Sequence, residues 1–183
     1  GQLLAQSISF VMGSSTVTTP AGTCFWAGPP AQFEVVGGTL SARGTASGQG
    51  VAIAASGGQI LYRGVTFGVC DIAHVSVGYG GIAACQSAAI TITGNAPVHL
   101  LSNGETIDSS GATYTLIGTP TFSSAFAVAN GGKIGAKDAA FIGSASGKRY
   151  RAAVWGAIDV AGAGVNYFPG SIAGSVTAQG DYR

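Results

Sequence analysis

The chain has 183 residues, a formal charge of +1, and 8% charged against 46% apolar residues. That apolar content excludes a disordered chain, and a scattering of 8 basic residues offers no stripe for tracking phosphates, so no nucleic-acid partner is expected. The 31 glycines lack a Gly-x-y period, which excludes collagen and leaves glycine as a marker of chain reversals. No apolar run approaches the ~18 residues of a membrane span, no signal-peptide pattern opens the chain, and nothing in the composition divides it into two domains.

Residues 1–32 read as an N-terminal cover or an imperfect first coil. Ile8, Phe10 and Met12 alternate weakly before Gly13, and the next stretch mixes Pro20, Pro29 and Pro30 with the triplet Cys24-Phe25-Trp26. Regular coils are expected over residues 33–161. A Gly-x-[Ile/Leu] core recurs there at Gly38-Thr39-Leu40, Gly58-Gln59-Ile60, Gly80-Gly81-Ile82, Gly132-Lys133-Ile134 and Gly156-Ala157-Ile158. Gly104-Glu105-Thr106-Ile107 reads as a sixth copy with one extra residue. The first glycines of these copies lie 20 to 28 residues apart, the loose period of a solenoid. Glycine suits such corners because it enters positive-φ conformations without a steric cost.

The strands before the corners supply two further apolar columns. One holds Phe33, Ile53, Val75, Val98, Phe126 and Ala152; the other holds Val35, Ala55, Val77, Leu100, Val128 and Val154. With Leu40, Ile60, Ile82, Ile107, Ile134 and Ile158 they predict side chains stacked along one internal axis, each coil resting on its neighbour. The longest interval, from Gly104 to Gly132, leaves room for a loop around Pro120. No segment shows the 3.6-residue apolar spacing of a long helix. The fold class is therefore all-β: a single-stranded right-handed parallel β-helix, a solenoid of about six coils, with the hand following the rule for parallel crossovers. Residues 162–183, with Pro169, Gly170, Gly174 and Gly180, read as a C-terminal cap rather than another coil.

The run from Asn130 to Tyr182 carries a glycine corner, Gly162-Ala163-Gly164-Val165-Asn166-Tyr167-Phe168-Pro169-Gly170-Ser171, Ala173-Gly174 and a final Gly180-x-Tyr182. It resembles the closing segment of bacteriophage tail fibre and tailspike-like proteins. That resemblance covers about the last third of the chain. It implies a parallel β-helix assembled as a homotrimer in the virion tail, made in the host cytoplasm and recognising the bacterial surface. The scarcity of charge agrees with a trimer, since apolar residues outside the inward columns, among them Phe25, Trp26, Phe141, Trp155 and Phe168, need cover.

Candidate chemistry is sparse. Gly143–Arg149 has the wrong spacing for a phosphate loop, no cofactor or metal motif is present, and Cys24, Cys70 and Cys85 suit small buried apolar positions. His74 begins a strand and His99 is out of phase with Val98 and Leu100, so both are expected to face outward. Asp108 follows Ile107 and Asp159 follows Ile158, which places this carboxylate pair in one column, two rungs and about 10 Å apart, with Gly135 between them. They are the catalytic pair if the chain is an enzyme. Tyr62, Tyr79, Tyr114, Tyr150 and Trp155 are the aromatics able to stack on sugar rings; packing between subunits or under the cap accounts for them equally well. The expected function is non-enzymatic recognition of a bacterial surface polysaccharide by a phage tail fibre module. A tailspike depolymerase of the glycosidase or lyase class and a bacterial adhesin repeat are the alternatives.

Overall fold

The computed structural model describes residues 8–183, and among these there is no helix. Strands pair in parallel into a twelve-stranded and an eight-stranded sheet, wound as a β-solenoid of about seven turns, so the parallel β-helix read from the sequence is the fold. Each full coil has three faces. In one coil, face one is Val51–Ser56, face two is Gln59–Arg63 and face three is Thr66–Cys70, after which Ala73–Gly78 begins the next coil directly above Val51–Ser56. The long strand Gln32–Ala42 runs through faces two and three without a break, pairing first with Gln59–Arg63 and then with Thr66–Cys70.

Two different physical demands make the corner between faces one and two. The first corner residue needs a left-handed backbone, as at Gly80 (φ 83°) and Gly131 (φ 69°). The second, at Gly58, Gly81, Gly132, Gly156 and Gly180, has an ordinary φ but no room: a Cβ at Gly81 would overlap the Ala55 carbonyl, and one at Gly156 the Ala129 carbonyl. The second position therefore sets the register. Gly104-Glu105 fills the same two positions, so that corner carries no extra residue.

This corrects the inward columns. The aliphatic one runs Ile60, Ala83, Ile107, Ile134, Ile158, Tyr182. Ile82 pairs with Gln59 and Thr106 and is 38% exposed, because counting from Gly80 slips that strand by one residue and turns it over. Phe33 lies beside Ile60, and Leu40 beside Phe67. On face one the inward columns are Ile53, Val75, Leu100, Ala127, Tyr150 and Ala55, Val77, Ser102, Ala129, Ala152. A register shift between Ala96 and Val98 displaces Val98 and Phe126 from the predicted column, and Val154 stands exposed in a left-handed corner.

At the N-terminal end the described residues form a coil, and at the C-terminal end the chain adds more than a cap. Ile8–Thr19 pairs with Gln32–Ala42 and Thr23–Ala27 with Val51–Ser56, so residues 8–27 form a first coil. At the other end Ser175–Val176 and Asp181–Tyr182 extend the ladders of faces one and two into a partial last turn, where the proline and glycines had argued against one. The intervening segment dips inward: Phe168 is buried against Phe126 and Phe141, and the Tyr167 hydroxyl reaches the Ala136 and Ala139 carbonyls at 2.7 and 2.6 Å. Phe25 and Phe141 also pack against the core, leaving Trp26 and Trp155 as the exposed members of the apolar set.

The middle coils hold an aromatic interior of Phe67, Tyr114, Phe122 and Phe126. His74 and His99 lie inside it, fully buried, not outside as expected. Alternation fails for His99 because the strand bends where the register shifts. His74 Nε2 is 2.9 Å from the Gly68 carbonyl, which only accepts, so that nitrogen carries the proton. His74 Nδ1 is then a lone pair, and His99 Nδ1, 2.9 Å away, donates to it. His99 Nε2 is left bare, buried and without a hydrogen-bond partner. Burial holds the pKa of His74 down at about 4, and burial together with its neighbour holds His99 well below the usual imidazole range.

Candidate functional site: a groove on face one

The outer side of face one carries the column Trp26, Ala54, Ser76, Leu101, Val128, Arg151. Beside it the chain leaves the Gln32–Ala42 strand in a loop, Arg43–Gly50, that overhangs these strands. Asp71 anchors the loop by accepting from the Gly44 amide at 2.8 Å and pairing with Arg43 at 3.3 Å, while Thr23 Oγ1 donates to the Gly48 carbonyl at 3.0 Å. Between overhang and sheet lie two adjoining hollows of about 510 and 530 Å³ that share Ser47, Gly48, Ala54, Ser76 and Asn103. Trp26 lines one and Tyr79 the other, two coils or ~10 Å apart along the stack.

Both aromatics are presented to solvent, Trp26 at 62% exposure and Tyr79 at 91%. Trp26 faces out because its neighbour Phe25 sits over inward Ile53. Tyr79 occupies a left-handed corner (φ 51°) that a non-glycine residue adopts only when its surroundings impose it, and Glu105 Oε1 holds that turn by accepting from the Gly80 amide at 2.6 Å. Every residue lining the two hollows is uncharged; between the rings stand hydroxyls, amides and short aliphatic side chains.

Of the five aromatics picked from the sequence, only Tyr79 belongs to this groove. Trp155 is 73% exposed at the equivalent corner three coils higher, outside it. Tyr62, Tyr114 and Tyr150 are in the core, a correction with one cause: each falls on the inward phase of its strand. Tyr114 packs on Phe141 and hydrogen bonds with Cys85 at 3.2 Å, and Tyr150 stacks on Tyr182. Burial pushes the Tyr62 and Tyr114 hydroxyls well up, so neither ionises at any ordinary pH. The three cysteines are free, and burial raises Cys70 to about 12 and Cys85 to about 11, which removes them as nucleophiles. Trp26, Ser76 and Asn103 were missed; strand alternation through Thr23–Ala27 would have turned Trp26 outward.

The carboxylate pair is where its spacing placed it, Asp108 and Asp159 flanking Gly135 on face two. They share a shallow notch of about 200 Å³ with Lys133 and Lys137. Lys133 lies 3.8 Å from Asp159. Asp108 accepts from Gln86 and from the Ser110 amide at 3.0 Å. Partial burial alone would raise its pKa, but the hydrogen bonds from Ser110 and Gln86 and the Lys133 charge outweigh it and lower the value. A general acid needs the opposite displacement.

Among the described residues no cluster of three histidine, cysteine or carboxylate side chains is arranged to hold a metal ion. Comparisons with protein-family models, with curated proteins and with solved structures return no match for this chain.

Proposed function

We propose that the chain is a non-enzymatic binding module that seats an uncharged stretch of glycan in the face-one groove. The observation that carries this reading is the groove itself: two exposed aromatic side chains, two coils (~10 Å) apart along the stack and offset along the strands, with small polar side chains between them and no charged residue in the lining. Aromatic faces stack on the C–H faces of pyranose rings, and hydroxyl and amide groups meet sugar hydroxyls without the desolvation cost of burying an ion. The likeness of residues 130–182 to tail fibre endings supports a bacterial surface polysaccharide as the glycan and a homotrimer in a phage tail as the setting. Native mass measurement at micromolar concentration tests that setting, with three copies expected and a stable monomer counting against it.

Binding is tested by titrating host capsule or lipopolysaccharide polysaccharide into the protein. Saturable binding is expected, reduced at least tenfold by Trp26→Ala or Tyr79→Ala with no shortening of the polymer. Undiminished binding by both variants would remove the groove from the proposal. The aligned carboxylates keep a second reading testable: polymer cleavage abolished by Asp108→Asn or Asp159→Asn would make the face-two notch a depolymerase site.

A further inference from the structure

Asn103 lines both hollows of the groove, and its amide is oriented from outside it. Arg151 Nη2 donates to Asn130 Oδ1 at 3.3 Å. A guanidinium has donors only, so the Asn130 atom facing it is the oxygen, and Asn130 Nδ2 faces the other way. Asn130 Nδ2 in turn donates to Asn103 Oδ1 at 3.1 Å. The oxygen of Asn103 is thereby taken, and its Nδ2, with two N–H bonds, is what remains to the groove.

The head of this relay is fixed in place. Arg151 stands within the outer column, its backbone paired with Val128 on one side and Ser175 on the other. The order guanidinium, amide, amide aligns two dipoles behind the Asn103 N–H groups and makes them stronger donors. Leu101, two residues back on the same face of this strand, also lines the groove and puts an apolar side chain beside the directed donor.

We propose that Asn103 is the specificity-determining residue of the groove and that it reads the acetamido group of an N-acetylated sugar, the N–H meeting the carbonyl oxygen and the methyl resting on Leu101. This rests on the glycan-binding reading above. A carboxylated sugar offers an acceptor too, but it would bring a charge into a groove whose lining holds no cation to compensate it. Arg151 and Asn130 touch no ligand; they are positioning residues.

The test compares oligomers of N-acetylglucosamine with glucose oligomers of the same length and linkage, by calorimetry on the whole chain. Wild type is expected to favour the acetylated oligomer at least tenfold. Asn103→Asp, which cannot donate, should erase that preference. The sharper variant is Asn130→Asp: a carboxylate only accepts, so Asn103 turns its Nδ2 toward position 130 and presents its oxygen to the groove. The preference should vanish there too, with the thermal midpoint unchanged and residual binding to both oligomers equal. Equal binding of the two oligomers by wild type, lost in Trp26→Ala, would overturn the role of Asn103 while leaving the groove a glycan site. Retention of the preference in Asn130→Asp would overturn the relay, and wild-type binding to neither oligomer would overturn this proposal together with the groove as its site.

Discussion

The two sides of the face-one strands obey different rules. Along Ala96–Asn103 the inward residues Leu100 and Ser102 are buried among side chains and backbone on every side, whereas the outward residue Leu101 is only half-buried against a small outer cluster of Ala73, Val98, Ala125 and Val128, and Asn103 is exposed. Inside, identity is dictated by volume and by the absence of charge. Outside, burial is confined to that cluster, and toward the groove, at Trp26, Ser76 and Asn103, the side chain is free to serve a ligand. The difference teaches where substitutions ought to be lethal and where they ought to be silent to stability yet costly to binding.

The hardest test of that contrast is Ile134→Asp beside Lys133→Asp. Ile134 is fully buried between Ile107 and Ile158, so a carboxylate there is unpaired on every side, and no soluble folded protein is expected. Its neighbour points outward and should change stability by less than about 1 kcal/mol, the ordinary worth of an exposed ion pair. Equal thermal midpoints would break the register.

Acid probes the same interior without mutation. His74 and His99 have pKa values lowered by burial, so the unfolded chain binds protons that the folded one refuses, and stability falls as pH drops below the ordinary value of 6.5. For His74 the displacement to about 4 corresponds to roughly 3 kcal/mol lost by that pH. Denaturant unfolding at pH 7 and pH 4.5 reads it directly. A flat profile would mean that the pair is not buried as described.

The smallest effect sharpens the comparison to neighbouring glycines. Gly132→Ala drives a methyl into the Glu105 backbone and should cost about 1–3 kcal/mol. Gly104→Ala meets open space but keeps a φ of +85°, and should cost about 1 kcal/mol. Urea midpoints of the two variants in that order would confirm that space, more than backbone angle, sets the corner.

Much of the architecture was legible because a solenoid repeats its hydrophobic demand every coil. The Gly-x-Ile corners at Gly58, Gly132 and Gly156 and the Asp108 and Asp159 alignment survive into three dimensions, while Leu40 and Ile82 do not fall in that column. The failures share an origin. Period 2 has no memory of which glycine of a pair is the anchor, so one residue of slippage put Ile82 inside, and it does not register the shift between Ala96 and Val98 that turns His99 inward. Tyr62 and Tyr114 were misread because tyrosine is amphipathic, and only strand phase, not residue type, tells a buried ring from a sugar platform. The groove was invisible for another reason: Trp26, Ser76 and Asn103 lie on separate coils and converge only once the register is known.

The inward dip of Phe168 sets an order of events. Coils that touch only their neighbours can be laid down one at a time as the chain leaves the ribosome, each contact spanning roughly one coil of sequence. Yet Phe126 and Phe141 receive their lid from Phe168, more than a coil further along the chain. Until then the newest coil presents a bare ladder and a ring of aromatics to solvent, open to any other nascent copy. The stack is therefore most open to aggregation after its middle coils have wound and before Phe168 has folded over them, and a ribosome stalled in that interval would release a stack that is wound but unsealed.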